Sequence, residues 1–366
     1  MRKIDKILFH IYSLGHGGAE RVVCTLAEEL ERQGKEVLIA TLAEEKSEYP
    51  LPAGVRRINV GLSEAEEKKG KLGRMNCRVR HLRDCLKKER PDVVFAFMQT
   101  ANYRAIAAAR PLHIPVIISV RSDPRVDYAS KKQKLLSGWL YKKAAGAVFQ
   151  TAQARDFFPP AVAQRATVIL NPINEKYRKS EKALSRRKAM VSVGRFHEAK
   201  DYMTLVKAFE LFLEEHGDYV LEIYGGDSGD NTIHQVKEFV HAHGLDEKIL
   251  LMGNRDDVES CIHDAAAYIL SSKYEGMPNA LMEAMAMGLP VIATDCPCGG
   301  PAALIEDGAN GLLCEVGNPK EMAAAMGKMA EYPEEAERVA TEAMKIRELA
   351  STERIAGEWL AYAERI

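Results

Sequence analysis

Short apolar runs alternate with amphipathic stretches along most of the chain, a pattern typical of strands and helices that follow one another. After the run KILFHIY, for example, the segment AERVVCTLAEELERQG repeats its apolar residues at helical spacing and is closed by Gly34. This alternation predicts parallel sheets built from βαβ units. The predicted strands of the first half are KILFHIY, EVLIATL, VRRINV, PDVVFAF, PVIISV, AGAVFQTA and TVILNPI.

The polar segment 174–188 lacks apolar periodicity and is predicted to be a linker or a connecting excursion. The alternation then restarts, with predicted strands AMVSVG, YVLEIYGG, KILLMG, AAAYILS, PVIAT and GLLCEV. Because 366 residues suffice for two domains, we expect two doubly wound Rossmann-like parallel sheets, over 1–173 and 174–351, with a helix over 352–366 packing back on the first. Ligands of such sheets bind beyond the carboxyl ends of the strands, so the site is expected in an interdomain cleft.

The distribution of charge adds a functional constraint. Residues 1–180 hold 33 Lys and Arg against 19 Asp and Glu, a net +14, whereas the remaining 18 basic and 33 acidic residues give −15. This asymmetry predicts that the first half meets an anionic partner, for which a membrane surface and nucleic acid are both candidates. A chance surface bias is the alternative.

The segment EGMPNALMEAMAMGLP places two carboxylates, Glu275 and Glu283, in apolar surroundings. Pro278 suits the first turn of a helix and Gly288 suits its end, so a helix is predicted between them. Backbone amides at its N-terminus would be free to bind a phosphate: those of Asn279, Ala280 and Leu281. Carboxylates bind sugar hydroxyls well, although a solvated Glu275 and a locally paired Glu283 are equally open interpretations.

The stretch YEGMPNALMEAMAMGLPVIATD, followed by GANGLLCE, resembles the retaining glycosyltransferases of family 4, whose GT-B fold has two facing Rossmann-like domains. Glu275 and Glu283 match the Glu-x7-Glu spacing of that family. SVGRFHEAKDYMTLVKAF resembles its diphosphate-binding segment, with Arg195 and Lys200 in the matching positions. GHGGAERVV resembles its N-terminal glycine loop, and VILNPI resembles the end of its first domain.

The resemblance implies roles for individual residues. The catalytic residues would be Glu275, at the donor sugar, with Arg195 and Lys200 at the diphosphate. Donor binding would involve Glu283 at the ribose, with Gly17, Gly18, Gly194, Gly225, Arg255, Met277, Pro278, Asn279, Ala280 and Leu281. The acceptor side would include His16, Glu20, Gln99, Asn102, Arg121 and Asp123. Gly225 is explained equally well by a tight turn that needs positive φ.

Two departures from the family pattern bear on substrate recognition. Ala303 stands where the family often has a glutamate, and the histidine common near Gln99 is absent. The chain also lacks a D-x-D metal motif. Since Arg195 and Lys200 can stabilise the charge of a leaving diphosphate, we expect no metal or other cofactor, with a UDP-sugar as donor substrate.

The basic half contains two helical segments with clustered charge. In RMNCRVRHLRDCLKKER, Met75, Val79, Leu82 and Leu86 are expected to pack inward and Arg80, Arg83, Lys87 and Arg90 to form another face. KKQKLLSGWLYKK mixes five lysines with Leu135, Leu136 and Trp139, which suits an anionic membrane surface, although a solvated face is the commoner meaning.

GGAERV and RSDP resemble family members that extend polyprenyl-diphosphate-linked oligosaccharides of surface polysaccharides or glycoproteins. We therefore expect transfer of a hexose or N-acetylhexosamine to a lipid-linked glycan, by a peripheral enzyme on the inner face of the cell membrane. The alternatives are a transferase with a soluble acceptor and a UDP-sugar 2-epimerase of the same fold.

Nucleic acid is not an expected partner, because no nucleic-acid motif is present. The seven cysteines form no C-x-x-C pair. The chain opens without a signal-peptide pattern, and no apolar run is long enough for a membrane span. A cytoplasmic protein is therefore expected.

Overall fold

The computed structural model describes residues 2–15 and 17–366, which form two compact units. The first unit comprises the residues up to 172 together with 352–366, and the second comprises 173–351. The strands of the first unit are β1 (Lys6–His10), β2 (Glu36–Thr41), β3 (Arg56–Asn59), β4 (Val93–Phe97), β5 (Val116–Ser119), β6 (Gly146–Phe149) and β7 (Ala166–Val168). Those of the second unit are β8 (Arg187–Val193), β9 (Val220–Tyr224), β10 (Ile249–Gly253), β11 (Ala265–Leu270), β12 (Val291–Thr294) and β13 (Leu312–Cys314).

Helices connect the strands in both units. In the first unit they are α1 (Gly18–Arg32), α2 (Glu64–Glu67), α3 (Lys71–Glu89), α4 (Gln99–Ala109), α5 (Pro124–Asp127), α6 (Lys131–Tyr141), α7 (Ala152–Asp156) and α8 (Pro160–Ala163). In the second unit they are α9 (Glu175–Arg178), α10 (Tyr202–Leu213), α11 (Thr232–Ala242), α12 (Val258–Ile262), α13 (Asn279–Met287), α14 (Pro319–Glu331), α15 (Pro333–Ala343) and α16 (Ile346–Leu349). The last helix, α17 (Thr352–Arg365), belongs to the first unit. Short 3-10 turns cover Arg110–Leu112, Glu198–Lys200 and Pro301–Ala303.

Both sheets are parallel and doubly wound, as predicted. Over the described residues the first sheet has the order β3-β2-β1-β4-β5-β6-β7, and the second has the order β10-β9-β8-β11-β12-β13. The strand order reverses between β1 and β4 in the first sheet and between β8 and β11 in the second. In doubly wound sheets the loops on either side of such a reversal diverge at the carboxyl edge, and ligands bind in the crevice between them.

Helix α1 shows how the sequence pattern becomes packing. Val22, Val23, Leu26 and Leu30 recur at helical spacing, and all four are buried. Gly34 follows the helix at φ +81°, a conformation that glycine adopts without steric cost, so the chain can turn directly into β2.

Helix α17 completes the core of the first unit. Trp359 is fully buried and stacks on Phe97, with ring centroids 5.4 Å apart, while Phe95 packs against its edge. The hydroxyl of Tyr362 accepts a hydrogen bond from the backbone amide of Ala147 at 3.0 Å. Helix α17 is therefore part of the same hydrophobic core as the strands of the first unit.

Two sequence expectations differ from the structure. The segment 174–188 is not a structureless linker, because Asn174 caps α9, Tyr177 is buried and β8 begins at Arg187. Met75 was expected to face inward from α3 but is 54% exposed, whereas Leu82 and Leu86 are buried as expected. Met75 lies in the first half of α3, where the helix is covered less than in its second half.

None of the helices in the described part of the chain is both long and apolar enough to cross a membrane.

Candidate functional site

A lysine and a glutamate from the two central strands of the second sheet meet at its carboxyl edge. Lys200 closes the 3-10 turn Glu198–Lys200 after β8, and Glu275 lies in the loop after β11. The Lys200 Nζ lies 2.5 Å from Glu275 Oε1. Because the strand order reverses between β8 and β11, this ion pair lies at the point where a doubly wound sheet binds ligands.

Glu275 is fixed by its backbone as well as its side chain. Its amide donates to the carbonyl of Pro297 at 2.6 Å, and its own carbonyl accepts from the amide of Cys298 at 2.9 Å. Oε1 also accepts a hydrogen bond from Ser272 Oγ at 2.8 Å. The carboxylate thus sits on a loop held by the segment after β12, so its position is set before any ligand arrives.

Buried groups around the pair remain neutral. Burial, reinforced by the negative charge of Glu275, raises the pKa of the Cys296 thiol to about 12. Burial also raises the pKa of Tyr202, whose hydroxyl donates to the carbonyl of Gly194 at 2.8 Å. At neutral pH these two groups therefore add no charge beside Lys200 and Glu275.

Helix α13 begins immediately after this loop and matches the predicted helix. Pro278 is its N-cap, and Gly288, at φ +75°, ends it. Asn279 is the first residue of this helix, and helix geometry provides no intrahelical acceptor for the amides of Ala280 and Leu281 in its first turn. Glu283, in the next turn, is buried, and so is Met277 before the helix. The two glutamates of the motif therefore occupy different environments. Glu275 lies in a loop and is partly exposed, whereas Glu283 lies on the helix and is buried.

Two further cations lie at the same edge of the sheet. Arg195 follows β8 directly after Gly194, and Arg255 follows β10. Both side chains are exposed, and neither forms an ion pair or hydrogen bond with the described residues. Arg195 is thus available to an anion at the end of the strand that leads to Lys200.

Gly225 is explained by packing. A Cβ atom built on this residue would lie 1.9 Å from the carbonyl oxygen of Gly194, and its φ is +154°. Its amide donates to the carbonyl of Gly253 at 2.9 Å. The loops after β8 and β9 and the end of β10 therefore approach each other closely at Gly225, where a side chain would not fit. The role of Gly225 in donor binding stays a prediction.

The glycine loop of the first unit lies at the start of α1. Gly17 is the N-cap of this helix, Gly18 is its first residue and Glu20 is in its first turn. His16, the other residue predicted there, lies outside the residues that the structure describes.

Three of the predicted acceptor-side residues form contacts within the first unit, and their role at the acceptor stays a prediction. Gln99 donates to the carbonyl of Asp127 at 3.2 Å. Asn102 is fully buried and donates to the carbonyl of Ser119 at 2.9 Å. Asp123 is buried and caps α5 by accepting the amide of Arg125. Asn102 and Asp123 are thus buried, Gln99 is partly buried, and each of the three side chains forms a contact within the first unit.

Arg121, another predicted acceptor-side residue, is a cation in a largely buried position. It donates to Asn171 Oδ1 and lies over the Phe97 ring, 5.4 Å from the centroid. Its Nε is buried without a hydrogen-bond partner, and burial lowers the pKa of the guanidinium. The sequence pattern predicted Arg121 as a site residue. It predicted neither Asn171 in the first unit nor Ser272 in the second.

Each of the two units matches a different family model. Residues 17–173 match the family model described as "Glycosyl transferase 4-like domain", and residues 173–346 match "Glycosyl transferases group 1". An uncharacterized glycosyltransferase of Haemophilus influenzae is 28% identical over 191 residues, which is 52% of this chain and about half (53%) of that protein.

Two other similar proteins extend along nearly the whole chain. An N-acetylgalactosamine-N,N'-diacetylbacillosaminyl-diphospho-undecaprenol 4-alpha-N-acetylgalactosaminyltransferase of Campylobacter jejuni is 27% identical over 345 residues, covering 90% of this chain and 91% of the relative. The crystal structure of HepE from Anabaena in complex with UDP has a TM-score of 0.83 at 18% identity, covering 99% of this chain and all of that one. The chain therefore belongs to the glycosyltransferases, with a glycosyl transferase 4-like domain followed by a glycosyl transferases group 1 domain in the GT-B fold.

Proposed function

We propose that this glycosyltransferase moves a hexose or N-acetylhexosamine from a UDP-sugar to a hydroxyl of a polyprenyl-diphosphate-linked glycan, with retention of the anomeric configuration and without a metal ion. The observation that carries the proposal is the Lys200–Glu275 pair at the switch point of the second sheet. A carboxylate and an ammonium group at one point suit a ligand with both sugar hydroxyls and phosphates.

In the proposed reaction the sugar–diphosphate bond breaks and negative charge accumulates on the diphosphate. The oxygen of the acceptor hydroxyl forms the new bond to the anomeric carbon, and the departing phosphate takes the hydroxyl proton. Lys200 and Arg195 would stabilise that charge more in the transition state than in the ground state, which lowers the barrier. Lys200 carries a single positive charge that pairs with Glu275, so a diphosphate would compete with that carboxylate for it. Glu275 would position the donor sugar, the amides at the start of α13 would bind phosphate, and Glu283 would hold the ribose.

The choice of donor and acceptor rests on the similar proteins. HepE was crystallised with UDP, and the Campylobacter relative is named for transfer of N-acetylgalactosamine to a diphospho-undecaprenol-linked sugar. A lipid diphosphate is an anion, which agrees with the net charge of +14 on residues 1–180. Synthesis of surface polysaccharide or glycoprotein glycan is the corresponding role.

The first unit has a surface that suits the membrane in which such an acceptor lies. Helix α6 exposes Leu135 and Trp139, which are 78% and 57% exposed. The ammonium group of Lys143 lies 3.0 Å from the centroid of the Trp139 ring. No acidic residue occurs between Asp127 and Asp156 in the sequence, whereas KKQKLLSGWLYKK alone holds five lysines. We propose that α6 lies on an anionic bilayer at the inner face of the cell membrane.

Cosedimentation with liposomes tests this surface. The wild-type protein should bind vesicles containing phosphatidylglycerol more strongly than vesicles of phosphatidylcholine alone, and the preference should shrink as salt rises. Leu135→Ser should weaken binding, whereas Leu184→Ser, at an exposed leucine of the second unit, should not. Equal binding to both vesicle types at low salt would contradict the membrane proposal.

The transfer reaction is tested by UDP release from a panel of UDP-sugars in EDTA, with and without polyprenyl-diphosphate-linked acceptor. Release that requires both one UDP-sugar and the lipid supports the proposal. Release that ignores the lipid would favour a soluble acceptor, and formation of a 2-epimer without any acceptor would favour an epimerase. Loss of activity in EDTA that returns with a divalent cation would contradict the metal-independent step.

A further inference from the structure

Both hydrogen bonds that the described residues donate to the Glu275 carboxylate end on the same oxygen. Lys200 Nζ lies 2.5 Å from Oε1, and Ser272 Oγ lies 2.8 Å from it. The other oxygen, Oε2, accepts no hydrogen bond from the described residues, and it is not among the buried atoms that lack a partner. The carboxylate therefore has one oxygen held by the protein and one open to a ligand.

Ser272 is itself rigidly placed. It is fully buried, two residues beyond the end of β11. Its carbonyl accepts a hydrogen bond from Thr294 Oγ1 at 2.6 Å, and Thr294 is the last residue of β12. A serine hydroxyl has one proton to donate, and here that proton goes to Oε1. Two adjacent strands of the sheet thus determine where the donor of this bond lies.

A bound diphosphate would affect the two hydrogen bonds to Oε1 differently. Lys200 is a cation at the ligand-binding edge, so an incoming diphosphate attracts it away from Glu275. Ser272 is neutral and sealed from solvent, so a diphosphate leaves its bond to Oε1 unchanged. Ser272 is therefore the contact that keeps the carboxylate oriented while donor is bound.

We infer that Ser272 is a positioning residue that turns Glu275 so that Oε2 faces the donor sugar. The inference rests on the proposed role of Glu275 and adds to it which carboxylate oxygen faces the sugar and which group fixes that orientation. Small errors in the placement of a group that acts on the substrate lower turnover strongly, whereas they alter substrate affinity little.

The experiment compares Ser272→Ala with a matched control, Ser192→Ala. Ser192 is also buried, in β8 of the same unit, and donates to the carbonyl of Ile269 at 2.8 Å. With UDP-N-acetylgalactosamine, UDP-N-acetylglucosamine and UDP-glucose as probes, Ser272→Ala should lower kcat by about 10-fold and change KM by less than about 2-fold. Ser192→Ala should keep kcat within about 2-fold of the wild type at a similar Tm.

Two more variants separate positioning from stability. Ser272→Cys keeps the shape but donates a weaker hydrogen bond, so its kcat should fall between those of wild type and Ser272→Ala. In a Glu275→Gln background, Ser272→Ala should cause no further loss, because a residue that acts only through Glu275 has nothing left to position. Additive losses of the two substitutions would overturn the inference.

Failure of the inference and failure of the proposed function give different results. Normal kcat in Ser272→Ala together with a large loss in Glu275→Gln overturns only the role of Ser272. Normal kcat in Glu275→Gln overturns the role proposed for Glu275. A crystal structure of Ser272→Ala gives a test that needs no activity: the carboxylate of Glu275 should occupy more than one orientation, and a single unchanged orientation contradicts the inference.

Discussion

Lys200 and Glu275 are separated by 75 positions in the chain, yet Nζ and Oε1 lie 2.5 Å apart. The parallel sheet brings them together, since the two strands that precede them, β8 and β11, are neighbours with parallel register. This cation and this carboxylate are the pair on which the proposed nucleotide-sugar site of the C-terminal unit rests.

Removal of Lys200 tests the electrostatic part of the reaction. Lys200→Ala should lower kcat by at least about 100-fold, the usual effect of losing one contact that strengthens in the transition state. Lys273→Ala, at an exposed lysine of the loop that carries Glu275, should keep activity within about 2-fold of the wild type. Steady-state UDP release measures both, and equal effects of the two substitutions would argue against a special role for Lys200.

His10 makes the stability of the first unit depend on pH. It is fully buried: Nδ1 donates to the carbonyl of Ala40 at 2.8 Å, and Nε2 accepts from Arg104 at 2.9 Å. Burial, reinforced by the charge of Arg104, lowers the pKa of His10 from 6.5 to about 3. Since the unfolded chain binds a proton below pH 6.5 and the folded chain does not, this stability is complete above that pH and is lost as pH falls toward 3.

His10→Gln isolates this contribution, because glutamine offers a donor and an acceptor without titrating in this range. Between about pH 7 and pH 5, Tm should fall more steeply for the wild type than for the variant. Thermal unfolding at several pH values provides the measurement. Parallel curves for the two proteins would mean that His10 does not remain neutral in the folded state.

Substitutions of the two tryptophans should have opposite effects on stability and on membrane binding. Trp359 is fully buried against Phe95 and Phe97, so Trp359→Ala should cost about 3–5 kcal/mol in the free energy of unfolding. Trp139 is 57% exposed on α6, so Trp139→Ala should change stability by less than about 0.5 kcal/mol but weaken binding to anionic liposomes. Chemical denaturation and cosedimentation of both variants check the pair. A stable Trp359→Ala protein would contradict the assignment of α17 to the core.

Gly225→Ala should destabilise the second unit, because the new methyl group would lie against the Gly194 carbonyl and the residue would keep positive φ. Gly229→Ala is the matched control: its φ is +83° but no atom lies within 4 Å of the added Cβ. Thermal unfolding should show a Tm lowered by at least about 5 °C for Gly225→Ala and by less than half as much for Gly229→Ala. Equal shifts would mean that backbone conformation alone, without the close approach, requires glycine at both positions.

The sequence pattern predicted the two parallel sheets because fully buried strands are apolar and bounded by turn residues. The helix after Glu275 was predicted almost to the residue, since Pro278 and Gly288 are strong end signals. The pattern was weaker where packing depends on distant neighbours. Met75 has helical spacing with Leu82 but remains exposed, because the first half of α3 is covered less than its second half.

Polar contacts within the site were predicted least. Nothing in the spacing of Ser272 shows that its hydroxyl meets Glu275 Oε1, although its position directly after a buried strand places it at the ligand edge. Asn102 and Asp123 also follow strands, and the structure uses them for a backbone hydrogen bond and a helix cap. A position after a strand therefore indicates the edge of the sheet but does not distinguish ligand contacts from internal ones.

The most direct test of the central claim is the structure of the product. Purified protein, a UDP-sugar and a polyprenyl-diphosphate-linked acceptor should give a glycolipid extended by one sugar, with UDP released in equal amount. Nuclear magnetic resonance of that product should show an α-linkage, which is retention of the donor configuration. A β-linkage would contradict the retaining mechanism, and UDP release without an extended glycolipid would contradict transfer to the lipid.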